Sequence, residues 1–387
     1  MLALALLLIP FLPPVLAGQG IKLHRSIEEL ESTARRDSND AAAQYALGIG
    51  YWAKKRYDDA ERVLRVSVTI EPRFAPGWLA LGVLPFARRP KLREEELKGK
   101  VPEEWKAALI ESQRLKRRAF LIDPLVDLWI LSAIAPEPQA IVWVEHGKMY
   151  TFPNPFVALE EGHYDQAFAL FEATLHFFGD SAPRDSIPAL LLWFHGLCAA
   201  HLNLSAVAIQ DFQTLLDREL ARERSDSLLS VPLNTNDYRY MLALMYQRRF
   251  DWLNAVRLYR EALVNDLGLY MAHVQLSRVF ALRGMRDSAV VESRAAIMTN
   301  PEDPTLLLEH GVVLLDAGYA AAAEDTLRRS MQENPRDSRV AYYLGVALQQ
   351  LNRPAEARES YERFLALAPS RLTDKIAEAK RRLASLQ

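Results

Sequence analysis

Apolar positions in the last third of the chain fall on a 34-residue ruler. Ala255, Ala289, Ala323 and Ala357 mark one column. Leu242, Leu276 and Leu344 mark a second, with His310 the exception. Ala243, Ser277, Gly311 and Gly345 fill the next, and Tyr246, Phe280, Leu314 and Leu348 lie three residues further on. Large apolar side chains spaced by three and four residues trace one face of a helix. Each unit therefore predicts two antiparallel helices that approach closely where both present a small side chain, at the Gly/Ser and Ala columns. Pro301, Pro335 and Pro369 close three of the four units. Proline lacks a backbone N–H and so ends each second helix. The phase puts Ala289 at the close contact and turns Glu292, three residues on, toward solvent.

A 34-residue period with small residues at two fixed points, large ones between and a terminal proline resembles the tetratricopeptide repeat. The resemblance implies an all-α chain, a right-handed α-solenoid of about eight helix pairs. Upstream, Leu47, Gly48, Tyr51, Ala60, Leu64, Ser67 and Pro72 match column for column. Trp78, Leu81 and Gly82 open a unit that loses phase and closes late, on Ala119 and Pro124. Residues 41–125 are thus two repeats, the second interrupted by a charged, solvated insert at 88–104. Ala167 and Phe171 mark a second helix, Gly196, Ala208 and Phe212 a unit at 189–222. A second insert around Ser225–Asn236 precedes four regular repeats over 236–371. Ser26–Arg36, within 18–40, predicts a lone capping helix. Over 372–387, Leu372, Ile376, Ala379, Leu383 and Leu386 form a stripe that covers the last repeat, with Thr373 as N-cap.

Residues 126–188 are the irregular part. Ile141–Val144 and Met149–Phe152 flank a Gly-containing turn, which reads as a short β-hairpin near 139–152 or as an irregular loop.

The resemblance also implies that the first helix of each pair lines a concave groove. Column five holds Tyr45, Leu79, Trp193, Tyr240, Val274, Leu308 and Tyr342. Arg278 stands in column nine, and Trp52, Arg248 and Gln349 in columns twelve and thirteen. The partner-binding residues so implied are Tyr45, Trp52, Trp193, Tyr240, Arg248, Arg278, Tyr342 and Gln349. Relatives that grip a C-terminal carboxylate use Lys at column five and Asn at column nine; neither occurs at those columns here. The expected role is a scaffold that takes an extended or helical apolar segment of a protein or peptide. No cofactor is implied.

A formal net charge of −2 leaves no global basic field to draw nucleic acid. Arg114, Lys116, Arg117 and Arg118 cluster locally, as a solvated outer face or an anion site. Met1–Ala17 is almost wholly apolar, broken by Pro10, Pro13 and Pro14, and ends in small residues before Gly18. This is the shape of a secretory signal, although no Lys or Arg precedes the run. The expectation is a cleaved, exported chain, periplasmic or secreted; uncut, residues 1–17 would anchor it. With Cys198 alone there is no internal disulfide, and its apolar helical setting makes it a buried thiol.

Two sets of residues stand for other chemistry. His195, Cys198 and His201 lie three apart on one helix, where zinc ligands are chemically suitable but fan out by about 120° between the histidines. His146, His163 and His176 share the irregular region with Glu145, Glu160 and Glu161, the alternative of an enzyme or small-ligand site within 126–188.

Overall fold

The computed structural model describes residues 25–88, 103–126, 140–145, 148–160, 162–177, 187, 189–224 and 235–386. The apolar leader at 1–17, nearly all of the charged insert at 88–104 and most of the insert at 225–236 lie outside the described residues.

The helices of the first part are α1 (Ile27–Arg36), α2 (Ala41–Ala53), α3 (Tyr57–Ile70), α4 (Ala75–Ala87) and α5 (Glu103–Ile122). Strands β1 (Ala140–Glu145) and β2 (Lys148–Pro153) follow, then α6 (Pro155–Glu160) and α7 (Tyr164–Phe177). Next come α8 (Ala189–His201), α9 (Ser205–Arg224), α10 (Thr235–Arg248) and α11 (Trp252–Asn265). The regular end of the chain comprises α12 (Tyr270–Leu282), α13 (Arg286–Thr299), α14 (Pro304–Asp316), α15 (Ala320–Glu333), α16 (Ser338–Gln350), α17 (Pro354–Leu367) and α18 (Thr373–Ala384). The strands pair antiparallel from Ala140↔Pro153 to Glu145↔Lys148, and the remaining regular elements among the described residues are helices.

Consecutive helices pack as pairs, α2 on α3, α8 on α9, α10 on α11, and so through α16 on α17. The small-residue columns make these contacts. Ala60, Ala208, Ala255, Ala323 and Ala357 have no exposed surface, and Ala289 has almost none. A Cβ added to Gly345 would stand 2.7 Å from Tyr361 Cε1, inside contact distance, so only glycine fits there. Ser277, in the same column, donates its hydroxyl to the Ala289 carbonyl at 2.8 Å, tying α12 to α13. Pro72, Pro301, Pro335 and Pro369 each follow the second helix of a pair by two residues.

The chain divides into two compact units. The first runs from Leu79 to Asn265. Within it, α6 and α7 bury Ala158, Leu159, Ala167 and Phe171 around Cys198 of α8. Burial pushes the Cys198 thiol up to about 12, so it is inert packing.

The second unit joins Leu23–Trp78 to Asp266–Gln387, bringing the first helix pair against the last ones. Helix α1 opens on a capping box: Ser26 accepts from the Glu29 N–H while the Ser26 N–H donates to Glu29. The turns that enter α2 and leave α3 then meet the turns between the later pairs. Asn39 donates to the Arg336 carbonyl at 2.7 Å and to the Leu367 carbonyl at 3.0 Å. Arg336 answers with a bond to the Ser38 carbonyl at 2.8 Å, and Arg371 bonds Asp40 at 2.8 Å and Glu71 at 3.3 Å. Arg73, almost buried, ion-pairs with Glu309. At the other end α18 lays Ile376, Ala379, Leu383 and Leu386 on the final pair, as its stripe predicts.

Three local expectations are corrected. Thr373 is the first helical residue of α18, and the cap position is Leu372, without a side-chain bond. Glu292 does not face solvent: it is half-buried and bonds His273 Nδ1 of α12 at 2.7 Å. The basic cluster on α5 is not one solvated face. Arg114 is exposed and pairs with Glu111, but Lys116 lies against the Phe86 ring and Arg117 pairs with Asp237.

Candidate interaction surface

The first-helix residues expected to line a groove fall into three kinds. Trp52, Tyr240 and Tyr342 are buried, at 4%, 0% and 2% exposure. Tyr45, Trp193 and Gln349 are half-buried, and Arg248 and Arg278 are exposed.

The reason is that the chain itself covers several of these rings. In the first unit Phe120, near the end of α5, sits 6.3 Å from Trp193 and 6.5 Å from Tyr240. The Tyr240 hydroxyl donates to the Leu121 carbonyl at 3.3 Å, and Arg117 of the same helix pairs with Asp237. Trp193 also meets Phe212 and Tyr238 at 5.3 and 5.7 Å. A helix that follows an off-phase insert thus lies on the face of α8 and α10. Arg248 remains exposed, with one guanidinium nitrogen bonded to the Ala200 carbonyl at 2.9 Å.

In the second unit Tyr45 meets Phe74 edge-on at 5.4 Å. Tyr342 packs on Tyr361 and Phe364 and lies under the Lys375 ammonium of α18 at 4.4 Å. Burial and the Glu378 carboxylate beside it push the Tyr342 phenol up, while that phenol and Arg382 hold Glu378 down. Gln349 accepts from the Tyr361 hydroxyl at 3.0 Å and from Arg382 at 3.3 Å. Arg278 bonds Glu309 at 2.8 Å, and Glu309 is shared with Arg73 of the first pair.

His195, set by its column where a packed residue belongs, is buried between two carboxylates. Its Nδ1 stands 2.6 Å from Asp211 and its Nε2 2.8 Å from Glu172, with the ring stacked on Phe168 at 4.6 Å. Asp211 is wholly buried. The network joins α7, α8 and α9, and no spacing rule in the sequence points to it. His201 stacks on Tyr164 at 3.7 Å instead of turning to His195. Among the described residues no group of three or more His, Cys, Asp or Glu is placed to hold a metal.

In the irregular region His146 and Glu161 lie outside the described residues. Glu145 ends β1 and Glu160 ends α6. His163 and His176 are exposed and stand at opposite ends of α7, about 20 Å apart along a helix that rises about 1.5 Å per residue. These two do not converge. Among the described residues no helix is long and apolar enough to cross a membrane.

A tetratricopeptide-repeat family model matches residues 338–371, the α16–α17 pair, and a second matches residues 22–76, from α1 through α3. The chain carries tetratricopeptide repeats. No curated protein matches it. Among solved structures it is similar to the C-terminal part of a tetratricopeptide repeat-containing protein from Cytophaga hutchinsonii, 13% identical. That match has a TM-score of 0.48 and covers 60% of this chain and 86% of that one. A tetratricopeptide repeat protein from Parabacteroides merdae is 12% identical over 93% of this chain and 99% of the other, at a TM-score of 0.39. The MamA protein is 15% identical over 46% of this chain and 90% of its own, also at 0.39. Likeness at this level says nothing of partner or cargo.

Proposed function

We propose that this chain is an exported protein-interaction scaffold that holds a segment of a partner protein on its first-helix face. The repeats support the general reading, because tetratricopeptide repeats build surfaces that bind proteins. The observation that carries the finer one is the mixed character of that face. In the second unit the first helices carry the exposed guanidinium of Arg278, the half-buried ring of Tyr45 and the Gln349 amide; in the first unit they carry the exposed Arg248 and the half-buried Trp193. On this reading Trp52, Tyr240 and Tyr342 lie beneath the surface and fix its shape. Arg278, already bridged to Glu309, offers an acidic or carbonyl-rich segment a cation held in place by its neighbour. The apolar leader at residues 1–17 motivates the export proposal, with cleavage before Gly18 giving a periplasmic or secreted protein.

The test is capture from the native extract, with covalent cross-linking to identify the partner. Replacing Arg278 and Tyr45 by Ala should weaken capture at least tenfold and leave helical content unchanged. Equal capture by that variant and the unchanged chain would remove the first-helix face from the binding site. N-terminal sequencing of the exported protein that finds Met1 in place would overturn cleavage.

A further inference from the structure

The tip between α10 and α11 is unusual among the turns of this chain. Phe250 adopts a left-handed backbone, φ 60°. The corresponding positions in other pairs are Asn203, Gly284, Gly318 and Asn352, residues that tolerate positive φ, and Lys55, whose flexible side chain carries no exposed ring. An aromatic residue does so only under strain. Phe250 is also 73% exposed, and Leu253 beside it 81%. Strain and an exposed ring both act against stability, which points to a use outside the fold. Trp252 meets Phe250 edge-on at 5.4 Å, and Arg248 and Arg249, both exposed, immediately precede Phe250. Asp251, the tip's carboxylate, is taken up by the Asn254 N–H at 3.2 Å and the Asn254 amide at 2.8 Å. The neighbouring turn of the same unit carries Leu204, also exposed, and the Arg248 bond to Ala200 ties the two turns together.

We propose that the Arg248–Leu253 tip seats on an anionic bilayer surface. Phe250, Trp252 and Leu253 enter the headgroup layer, and Arg248 and Arg249 meet lipid phosphates. Aromatic rings with a polar or cationic neighbour are at home at that depth, and the positive pair complements anionic headgroups. Side chains this exposed have little wall beside them to shape a pocket for a peptide; a fluid surface needs no matching shape.

The experiment uses the full chain with Leu253→Cys carrying a polarity-sensitive dye; Cys198 is fully buried and will not take label. The probe is vesicles of equal parts phosphatidylcholine and phosphatidylglycerol, against vesicles of phosphatidylcholine alone. A dye at Glu359→Cys, an exposed position on α17, reports mere tethering through the N-terminal segment. The expected result is a blue shift at position 253 with the anionic vesicles, none at 359, and at least tenfold weaker binding for Arg249→Glu. Phe250→Asn should abolish the shift while melting at the same or a higher temperature, since Asn is the chain's own choice at positions 203 and 352. No shift at 253, an equal shift with phosphatidylcholine alone, or a shift that grows with protein concentration in the absence of vesicles would each overturn the proposal. The last would assign the tip to a second copy of the chain.

Discussion

The Asn39 side chain donates to the Arg336 carbonyl at 2.7 Å, across 297 residues of chain. A helical-repeat array normally has contacts only between neighbours, so its ends open independently. Here the first pair is fastened to the turns before α16 and α18 through Asn39, Arg336 and Arg371. Asn39→Ala together with Arg371→Ala removes four of these bonds, two of them from the half-exposed Arg371, and should lower stability by about 2–4 kcal/mol, at roughly 0.5–1 kcal/mol per net hydrogen bond lost. Hydrogen exchange should rise both in α2–α3 and at residues 334–339. A rise confined to the substituted turns would show that the fastening does not couple the two ends.

The buried His195 network makes a second case. His195→Leu restores the expected column residue but removes the imidazole hydrogen bond to Asp211 in a wholly buried site. Losing a buried hydrogen bond of this kind costs about 1–3 kcal/mol. Adding Asp211→Ala should recover a good part of that loss in urea unfolding, because the carboxylate that lost the bond goes with it. A double variant no more stable than His195→Leu alone would show that Asp211 is not what makes the single substitution costly.

Ala289→Trp places an indole where 1% of the alanine is exposed and should cost about 1–3 kcal/mol or more by overpacking. Glu292→Lys, on the bond to His273, should lose about 1 kcal/mol through that bond, with Glu292→Gln closer to neutral. Melting temperatures of the three variants check the order. If Glu292→Lys melts with the unchanged chain, the bond to His273 contributes nothing.

His310 gives the pH dependence. Burial, helped by Arg294, pushes its imidazole down to about 4 from the ordinary 6.5. The folded chain keeps it neutral, bonded to Ser293 at 2.8 Å, while the unfolded chain takes up a proton. Its contribution to stability is therefore complete above about pH 6.5 and disappears as pH falls to about 4. His310→Leu, the residue used at 276 and 344, should flatten the stability profile through that window. An unchanged slope would assign the acid sensitivity to other groups.

The helix pairs were legible because close packing imposes one geometry many times over. Ala255 and its counterparts can be nothing larger, so the column shows in the letters. The bond from Asn39 to Arg336 has no such signature, because polar turn residues at both ends of a long chain obey no period. The covering of Tyr240 by Phe120 was equally hidden, since the insert before α5 throws that helix off the ruler. Glu292 was misread because three residues from the contact column does not fix a side chain outward when a histidine stands across the pair. Phe250 was within reach of the sequence alone: the ruler aligns it with Lys55, Asn203, Gly284, Gly318 and Asn352, and an aromatic ring in a column otherwise of Gly, Asn and Lys is a visible anomaly.

The fastening of the first pair to the last sets a schedule on the growing chain. Residues 25–78 leave the ribosome early, but Arg336 and Arg371 follow some 300 residues later. At about 5–20 residues per second that interval is roughly 15–60 s. Through it α2 and α3 can pair locally, yet Asn39 and Arg73 have no partners for the edge they will share. The second unit is complete only once the C-terminal residues have been made. A premature stop near Pro335 would therefore strand the oldest part of the molecule as well as delete the newest.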